Sequence, residues 1–150
     1  MSIEPGRERR LAVDMFNHVW TLLDRPDRTR EQDDEMLHAA HASRHHWAAV
    51  GTAAHLARGE WQCSRVYSVL GRPEPALHHA QRCLDLCVEN GIADWDLAFA
   101  YEALARAHRV AGNREEFERN LELARDAGTR IAEDEDRQLL EQNLAELAEA

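Results

Sequence analysis

Apolar residues recur every three or four positions along most of the chain, and prolines or glycines interrupt the runs. This spacing is typical of one buried face of an α-helix. No segment alternates apolar and polar residues over the length of a strand. The pattern therefore predicts an all-α fold of about seven helices. The predicted helices cover 7–23, 30–50, 53–71, 73–90, 95–111, 114–127 and 134–150.

Several residues between these runs are ones that begin or end helices. Thr29, Thr52 and Asp94 each precede an apolar run and are predicted to cap the helix that follows. Pro26 cannot continue the first helix, and Pro73 suits the first turn of the fourth. The breaks are short, so consecutive helices are expected to pack as antiparallel pairs.

The middle of the chain contains an internal repeat. When Leu56–Gly71 is shifted forward by 41 positions it lies on Leu97–Gly112, and five positions are identical. A period of about forty residues that closes on glycine is typical of helical-hairpin repeats. We therefore predict one domain over 1–150. Its parts are a divergent first hairpin over 1–50, repeats over 52–90 and 94–128, and a capping helix over 134–150.

Both copies carry residues of one known repeat pattern, in which large, small and aromatic residues follow one another along the first helix before a glycine turn and a second helix rich in alanine. The matching residues of the first copy are Trp61, Cys63, Ser64, Tyr67, Gly71, Ala76, Ala80 and Cys83. Those of the second are Tyr101, Leu104, Ala105, His108, Gly112, Phe117, Leu121 and Ala124. The chain resembles the tetratricopeptide repeat family over about 56–128.

Departures from the family pattern are clear. The period exceeds the family's usual length of about 34 residues, His108 replaces an aromatic residue, and Phe117 stands where alanine is expected. The resemblance implies a right-handed superhelix of antiparallel helix pairs. It also implies a scaffold that binds a peptide or protein partner in a concave groove.

The resemblance places one set of side chains in that groove: Arg58, Trp61, Arg65, Phe99, Glu102, Arg106 and Arg109. Guanidinium groups pair with carboxylates and phosphates through two parallel hydrogen bonds. The expected partner is therefore an acidic or phosphorylated peptide. The alternative is that Arg65 and Arg106 pair with carboxylates of the chain itself, such as Glu60 and Glu102.

Histidines form a second candidate site. His38, His41 and His45, together with Asp34, follow one stripe of the second helix. Imidazole and carboxylate at this spacing can bind zinc, iron or another divalent metal, with Glu60 or His55 completing the site. The alternative function is thus a small metal-binding protein or a metal-dependent enzyme. Equally, the stripe can be exposed or hydrogen-bonded to carboxylates.

Arg44 and the histidine pair on the fourth helix raise further expectations. Arg44 lies near the seam between two helix faces and is expected to need a buried acidic partner, for which Glu60, Asp94 and Asp96 are candidates. If His45 joined Arg44, Glu60 and Asp96 in one pocket, an acid–base site would be possible. The pair at 78–79 is expected on the surface.

Composition and charge exclude some classes of function. The net charge of −10 disfavours nucleic-acid binding, which normally needs a basic surface. No apolar window reaches the length of a membrane span, and the first ten residues lack the apolar core of a secretion signal. Three cysteines without a CxxC pair are expected to be reduced and buried in a cytoplasmic protein. A homodimer in which the groove meets an acidic last helix is also possible.

Overall fold

Seven α-helices make up the regular structure of the computed structural model, which describes residues 2–149. The prediction of an all-α fold with seven helices is confirmed, and no strand occurs in that range. The predicted limits at Met1 and Ala150 lie outside the described residues. The helices are α1 (Pro5–Leu23), α2 (Arg30–Val50), α3 (Ala53–Val69), α4 (Pro73–Glu89), α5 (Asp94–Ala111), α6 (Arg114–Gly128) and α7 (Asp134–Glu149).

The first helix begins two residues earlier than predicted, at Pro5. The Glu4 carboxylate accepts hydrogen bonds from the backbone N–H groups of Gly6, over 2.9 Å, and Arg7, over 3.0 Å. These are two of the donors that have no carbonyl partner inside a helix. Proline at the first helical position loses nothing there, because its missing N–H would have no partner.

The turns after α3 and α5 share one geometry, as expected for equivalent positions of a repeat. Gly71 and Gly112 have φ values of 72° and 75°, in the left-handed region that favours glycine. In each turn the N–H after the glycine donates to the carbonyl five residues earlier, over 2.9 Å and 3.0 Å respectively. This hydrogen bond is typical of a glycine-terminated helix. Gly91, after α4, adopts the same turn, with a φ of 63° and a hydrogen bond of 2.9 Å from Ile92 to Cys87, so this geometry is common to three helix ends and is not specific to the repeat.

The start of α5 differs from the prediction that Asp94 is its cap. Ala93 occupies the capping position, and Asp94 is the first helical residue, with a φ of 58°. The Asp94 carboxylate accepts from its neighbour's N–H at Trp95 and from the N–H of Ala132, over 2.9 Å. The second bond ties the loop between α6 and α7 to the start of α5, which explains why an aspartate occupies this strained position.

Consecutive helices pack against one another as three hairpins, α1 with α2, α3 with α4, and α5 with α6. Loops of two to six residues connect the helices, so neighbours run antiparallel. The hairpins contact one another through α2 with α3 and α4 with α5. The first helices of successive hairpins also touch, α1 with α3 and α3 with α5, and α7 continues this row against α5.

The last helix covers the end of the core. Leu140, Leu144 and Leu147 are buried and join the cluster formed by α5 and α6. Leu139, next to Leu140 in the sequence, is instead 52% exposed. None of the helices within residues 2–149 combines the length and apolar character that crossing a membrane requires.

A histidine stabilises the first turn of α3. The Thr52 N–H donates to Nδ1 of His55 over 3.0 Å, and the imidazole stacks on Trp47 with ring centroids 4.1 Å apart. Burial lowers the pKa of His55, and Arg58 and Arg9 lower it further, whereas Asp96 opposes them. Because Nδ1 accepts a hydrogen bond from the backbone, it must carry no proton itself, so this cap requires neutral imidazole.

We expect His55→Gln to make the stability of the protein less dependent on pH. Glutamine keeps the capping hydrogen bond but does not titrate. A lowered pKa in the folded state means that the unfolded chain binds the proton first. The contribution of His55 is therefore complete above a pH of about 6.5 and is lost as the pH falls through the folded-state pKa. Urea unfolding at several pH values between 7.5 and 5 would measure this, with the exposed His45→Gln as control. Equal pH slopes for His55→Gln and wild type would contradict it.

Candidate functional site

A groove of about 440 Å³ lies between α3 and α5 and is closed by parts of α1, α4 and α7. Its volume is within the range of about 300–1,000 Å³ that ligand pockets occupy. Each of the five helices contributes at least one side chain. The lining residues are Trp20, Ala57, Arg58, Trp61, Arg65, Cys83, Trp95, Asp96, Phe99, Asp136, Leu139, Gln142, Asn143 and Glu146.

Four aromatic rings form a continuous apolar wall of this groove. Trp61 is central, with its ring centroid 5.5 Å from that of Trp20 and 5.8 Å from that of Phe99. Trp95 extends the row, at 6.4 Å from Phe99. Such rings present large apolar surfaces with little rotational freedom, which makes them effective contacts for a ligand.

The charged groups of the groove are already paired with one another. Arg58 donates two hydrogen bonds of 3.0 Å to the two carboxylate oxygens of Asp96, and its guanidinium lies 4.4 Å above the Trp95 ring. The side chain of Asp96 is largely buried. This bidentate pair therefore fixes the position of Trp95 and leaves Arg58 little capacity for a second carboxylate.

Arg65 and Arg106 share the carboxylate of Glu102, as the alternative interpretation of the sequence expected. Glu102 is fully buried; Oε1 accepts from Nε of Arg106 over 2.9 Å and lies 3.6 Å from a terminal nitrogen of Arg65. Arg65 also donates to Asn143 of α7 over 3.0 Å. Burial lowers the pKa of Arg65, and Glu102 counteracts this. Both guanidinium groups are thus paired with a buried carboxylate of the chain itself, and Arg65 also lines the groove.

The predicted partner-binding residues divide into two groups. Arg58, Trp61, Arg65 and Phe99 line the groove, and Glu102 lies buried behind it. Arg106 and Arg109 instead line a separate depression beside Leu147. The structure therefore brings together four of the seven residues assigned to this surface.

Sequence reasoning missed the walls that other helices supply. The sequence alone assigned neither Trp20 nor Trp95 to the groove, and it offered Asp96 as a partner of Arg44 instead. The last helix was expected to meet a groove only in a homodimer. In the structure α7 of the same chain contributes to the groove, with its acidic residues Asp136 and Glu146 at the edge. The homodimer stays a prediction.

The histidine stripe of α2 does not form one cluster. His38 and His45 are exposed, and His41 alone is half-buried. Nε2 of His41 forms a hydrogen bond of 2.9 Å with the Tyr67 hydroxyl. His55, a possible further ligand, caps α3 instead. Within the described chain, the donor atoms of the predicted ligands His38, His41 and His45 do not come together at metal-binding distances.

A different polar cluster lies between α2, α3 and α4. Nε of Arg44 is 3.6 Å from Oε1 of Glu60, so one of its expected acidic partners is found. The second oxygen of Glu60 accepts from Nδ1 of His79 over 2.8 Å. His79 is therefore largely buried rather than on the surface, where its neighbour His78 lies. The pocket that would unite His45 with these groups does not form, and Asp96 pairs with Arg58.

The environment of this cluster shifts the pKa values of its members. Burial by itself raises the pKa of Glu60, but the hydrogen bond from His79 and the charge of Arg44 outweigh it, so that the pKa is lowered. Burial raises the pKa of the Cys63 thiol to about 12. The three cysteines are free and buried, as expected. Cys63 is thus an inert thiol in the absence of a metal.

Comparison of the chain with protein-family models, with curated proteins and with solved structures found no match. A functional assignment therefore depends on the groove and the polar cluster themselves.

Proposed function

We propose that the protein is a tetratricopeptide-like repeat scaffold that binds a peptide segment of a partner in the groove between α3 and α5. In this arrangement the helix hairpins stack in a right-handed superhelix, and their first helices line its concave face. The observation that carries the proposal is the row of aromatic side chains, Trp20, Trp61, Phe99 and Trp95, along a groove large enough for a bulky side chain.

The repeat supports the scaffold part of the proposal. The two copies share the 41-residue period and the same hydrogen-bonded glycine turn, at Gly71 and Gly112. The first helices of successive hairpins also lie side by side, α1 with α3 and α3 with α5. Repetition of this kind creates one extended surface from equivalent helices.

The pairing of charges makes apolar contacts the main source of affinity. Arg58 is paired with Asp96, and Arg65 with the buried Glu102, so neither offers a free guanidinium to an acidic peptide. Asp136 and Glu146 add negative charge at the edge. The ligand that suits this groove is a peptide with a bulky apolar side chain, rather than the acidic or phosphorylated peptide expected from the sequence.

Two N–H groups of the groove residues are covered by other atoms and would become available to a peptide carbonyl only if the side chains moved. Nε1 of Trp61 and Nε of Arg65 are buried donors without a hydrogen-bond partner within residues 2–149. A buried donor left unsatisfied costs about 1–3 kcal/mol. A carbonyl oxygen that reaches either donor would remove that cost and fix the direction of the bound peptide.

Selection of peptides from a random display library on the immobilised protein tests this function. We expect the selected peptides to share a bulky apolar residue and to quench tryptophan fluorescence. Leu139→Glu places a carboxylate at an exposed groove position. It should weaken the binding of these peptides at least tenfold, equivalent to about 1.4 kcal/mol.

The matched control is Val88→Glu, because Val88 is 66% exposed on α4 and does not line the groove. It introduces the same charge elsewhere and should change peptide affinity less than twofold. Failure to select any apolar peptide, or equal affinity of the selected peptides for Leu139→Glu and wild type, would overturn the proposed function.

A further inference from the structure

Side chains of the kind that bind transition metals converge on the side of α3 that faces away from the groove. Glu60 and Cys63 lie on this face because they are roughly half a helical turn from Arg58 and Arg65. One donor atom from each of Glu60, Cys63 and His79 lies within 4.8 Å of the other two. Glu60 and Cys63 lie on α3, and His79 lies on α4, the other helix of the same hairpin.

We propose that Glu60, Cys63, His79 and His41 form a binding site for one zinc ion. The four donors would be a carboxylate oxygen, a thiolate sulfur and one nitrogen of each imidazole. Zinc binds such mixed oxygen, nitrogen and sulfur sets in tetrahedral geometry, at about 2.0–2.3 Å. This site is independent of the peptide groove, and it shares His41 and Glu60 with the ligands considered from the sequence, whereas Cys63 and His79 are new.

The fourth donor is held in place by a residue outside the site. Nδ1 of His41 is 3.8 Å from Sγ of Cys63, while Nε2 is engaged with the Tyr67 hydroxyl. The Tyr67 ring also stacks on His79, with centroids 5.6 Å apart. Metal-binding histidines are normally oriented in this way, by a hydrogen bond at the nitrogen that does not bind the metal.

A glycine allows α2 to approach α3 closely enough for these contacts. A Cβ atom at Gly59 would lie 2.8 Å from Cδ, 3.1 Å from Cβ and 3.3 Å from Cα of Arg44, so Arg44 and the backbone that carries it would have to shift. Arg44 is one helical turn beyond His41 on α2. The absence of a side chain at position 59 therefore lets His41 reach Cys63.

The charges around the site are compatible with a divalent cation. Oε1 of Glu60 faces Arg44, whereas Oε2 faces His79 and is free to bind a metal without breaking the contact with Arg44. The ion would take the place of the hydrogen bond between Nδ1 of His79 and Oε2 of Glu60, and the single N–H of the neutral imidazole would then be on Nε2. The Cys63 thiol would lose its proton to become a ligand, so zinc binding should release protons. Glu60 and His79 are slightly exposed, which gives the ion a route to the site.

Titration of untagged, metal-stripped protein with Co²⁺ tests the site, because a cobalt–thiolate bond gives a charge-transfer absorption band. We expect one Co²⁺ per chain with this band, displaced by one equivalent of Zn²⁺. Cys63→Ser should remove the band, and His79→Gln should weaken Co²⁺ binding at least tenfold. Cys87→Ser, which alters another buried cysteine, should leave both unchanged.

Three results would overturn the proposal. They are no charge-transfer band in the wild type, a band that survives in Cys63→Ser, or a band lost in Cys87→Ser. If the wild type instead binds Co²⁺ without the band, and this binding disappears in the exposed double variant His38→Gln with His45→Gln, the α2 stripe is favoured as the metal site. Circular dichroism of each variant establishes whether it is folded. If Cys63→Ser does not fold, His79→Gln still provides a test, because its position is partly exposed.

Discussion

Replacing Glu102 by alanine is expected to lower the free energy of unfolding by about 3–5 kcal/mol, as for other buried ion pairs that lose one member. Glu102 is fully buried and is the carboxylate that Arg65 and Arg106 share. Without it, two largely buried guanidinium groups would lose the carboxylate they share, and Arg65 would retain only the more distant charge of Glu146. Urea unfolding followed by circular dichroism would measure the change.

The matched control removes a carboxylate from an exposed pair. Glu118 and Arg114 form an ion pair on α6 in which both side chains are mostly exposed. Pairs of this kind contribute little to stability, so Glu118→Ala should leave the unfolding midpoint nearly unchanged. If Glu102→Ala were as stable as Glu118→Ala, the buried network would not hold α3 and α5 together as described.

The same network determines which groove variants are informative. Reversing the charge of Arg65 or Arg106 would place further negative charge beside the buried Glu102. Such a variant would lose peptide binding because it unfolds. Its loss of binding would therefore say nothing about what the groove binds. Leu139→Glu avoids this problem, because Leu139 is exposed and its replacement leaves the buried pairs of Glu102 unchanged.

Replacing Leu140 by alanine is expected to lower the free energy of unfolding by about 2–5 kcal/mol, the usual cost of a leucine-sized cavity in a core. Leu140 is 1% exposed and anchors α7 to α6. Its side chain fills the space at Gly128, where a Cβ atom would lie 2.6 Å from Cδ2 of Leu140. Urea unfolding would again be the measurement.

Leu139→Ala is the matched control, since it truncates the neighbouring leucine on the same helix. Leu139 lines the groove and is half exposed, so its truncation should change stability little but weaken the binding of selected peptides. Leu140→Ala should do the reverse while α7 remains folded. Equal losses of stability in the two variants would show that α7 is not docked through Leu140.

The number and limits of the helices were predictable because they depend on neighbours in the sequence. Thr29 caps α2 and Gly71 closes the turn after α3 through contacts with residues no more than a few positions away. The start of α5 was less predictable. Asp94 is bonded to Ala132, 38 positions later, and no local signal indicates that bond.

The candidate site was only partly predictable. Trp61 and Phe99 could be assigned to a groove because the resemblance to tetratricopeptide repeats carries the groove positions of that family onto them. The contributions of Trp20 and of α7 come from helices outside the two recognisable repeats. Likewise the histidine spacing on α2 pointed to a metal, but the residues that converge include Cys63 and His79 from other helices.

The sequence by itself determined an all-helical chain with a 41-residue repeat, because turn residues and apolar spacing act over one or two helical turns. The tertiary structure alone decided which charges meet. Successive residues point about 100° apart around a helix, so the rotation and depth at which two helices pack decide the partner of each side chain. That rotation pairs Arg58 with Asp96, encloses Glu102 between two arginines, and brings His41 and His79 to Cys63.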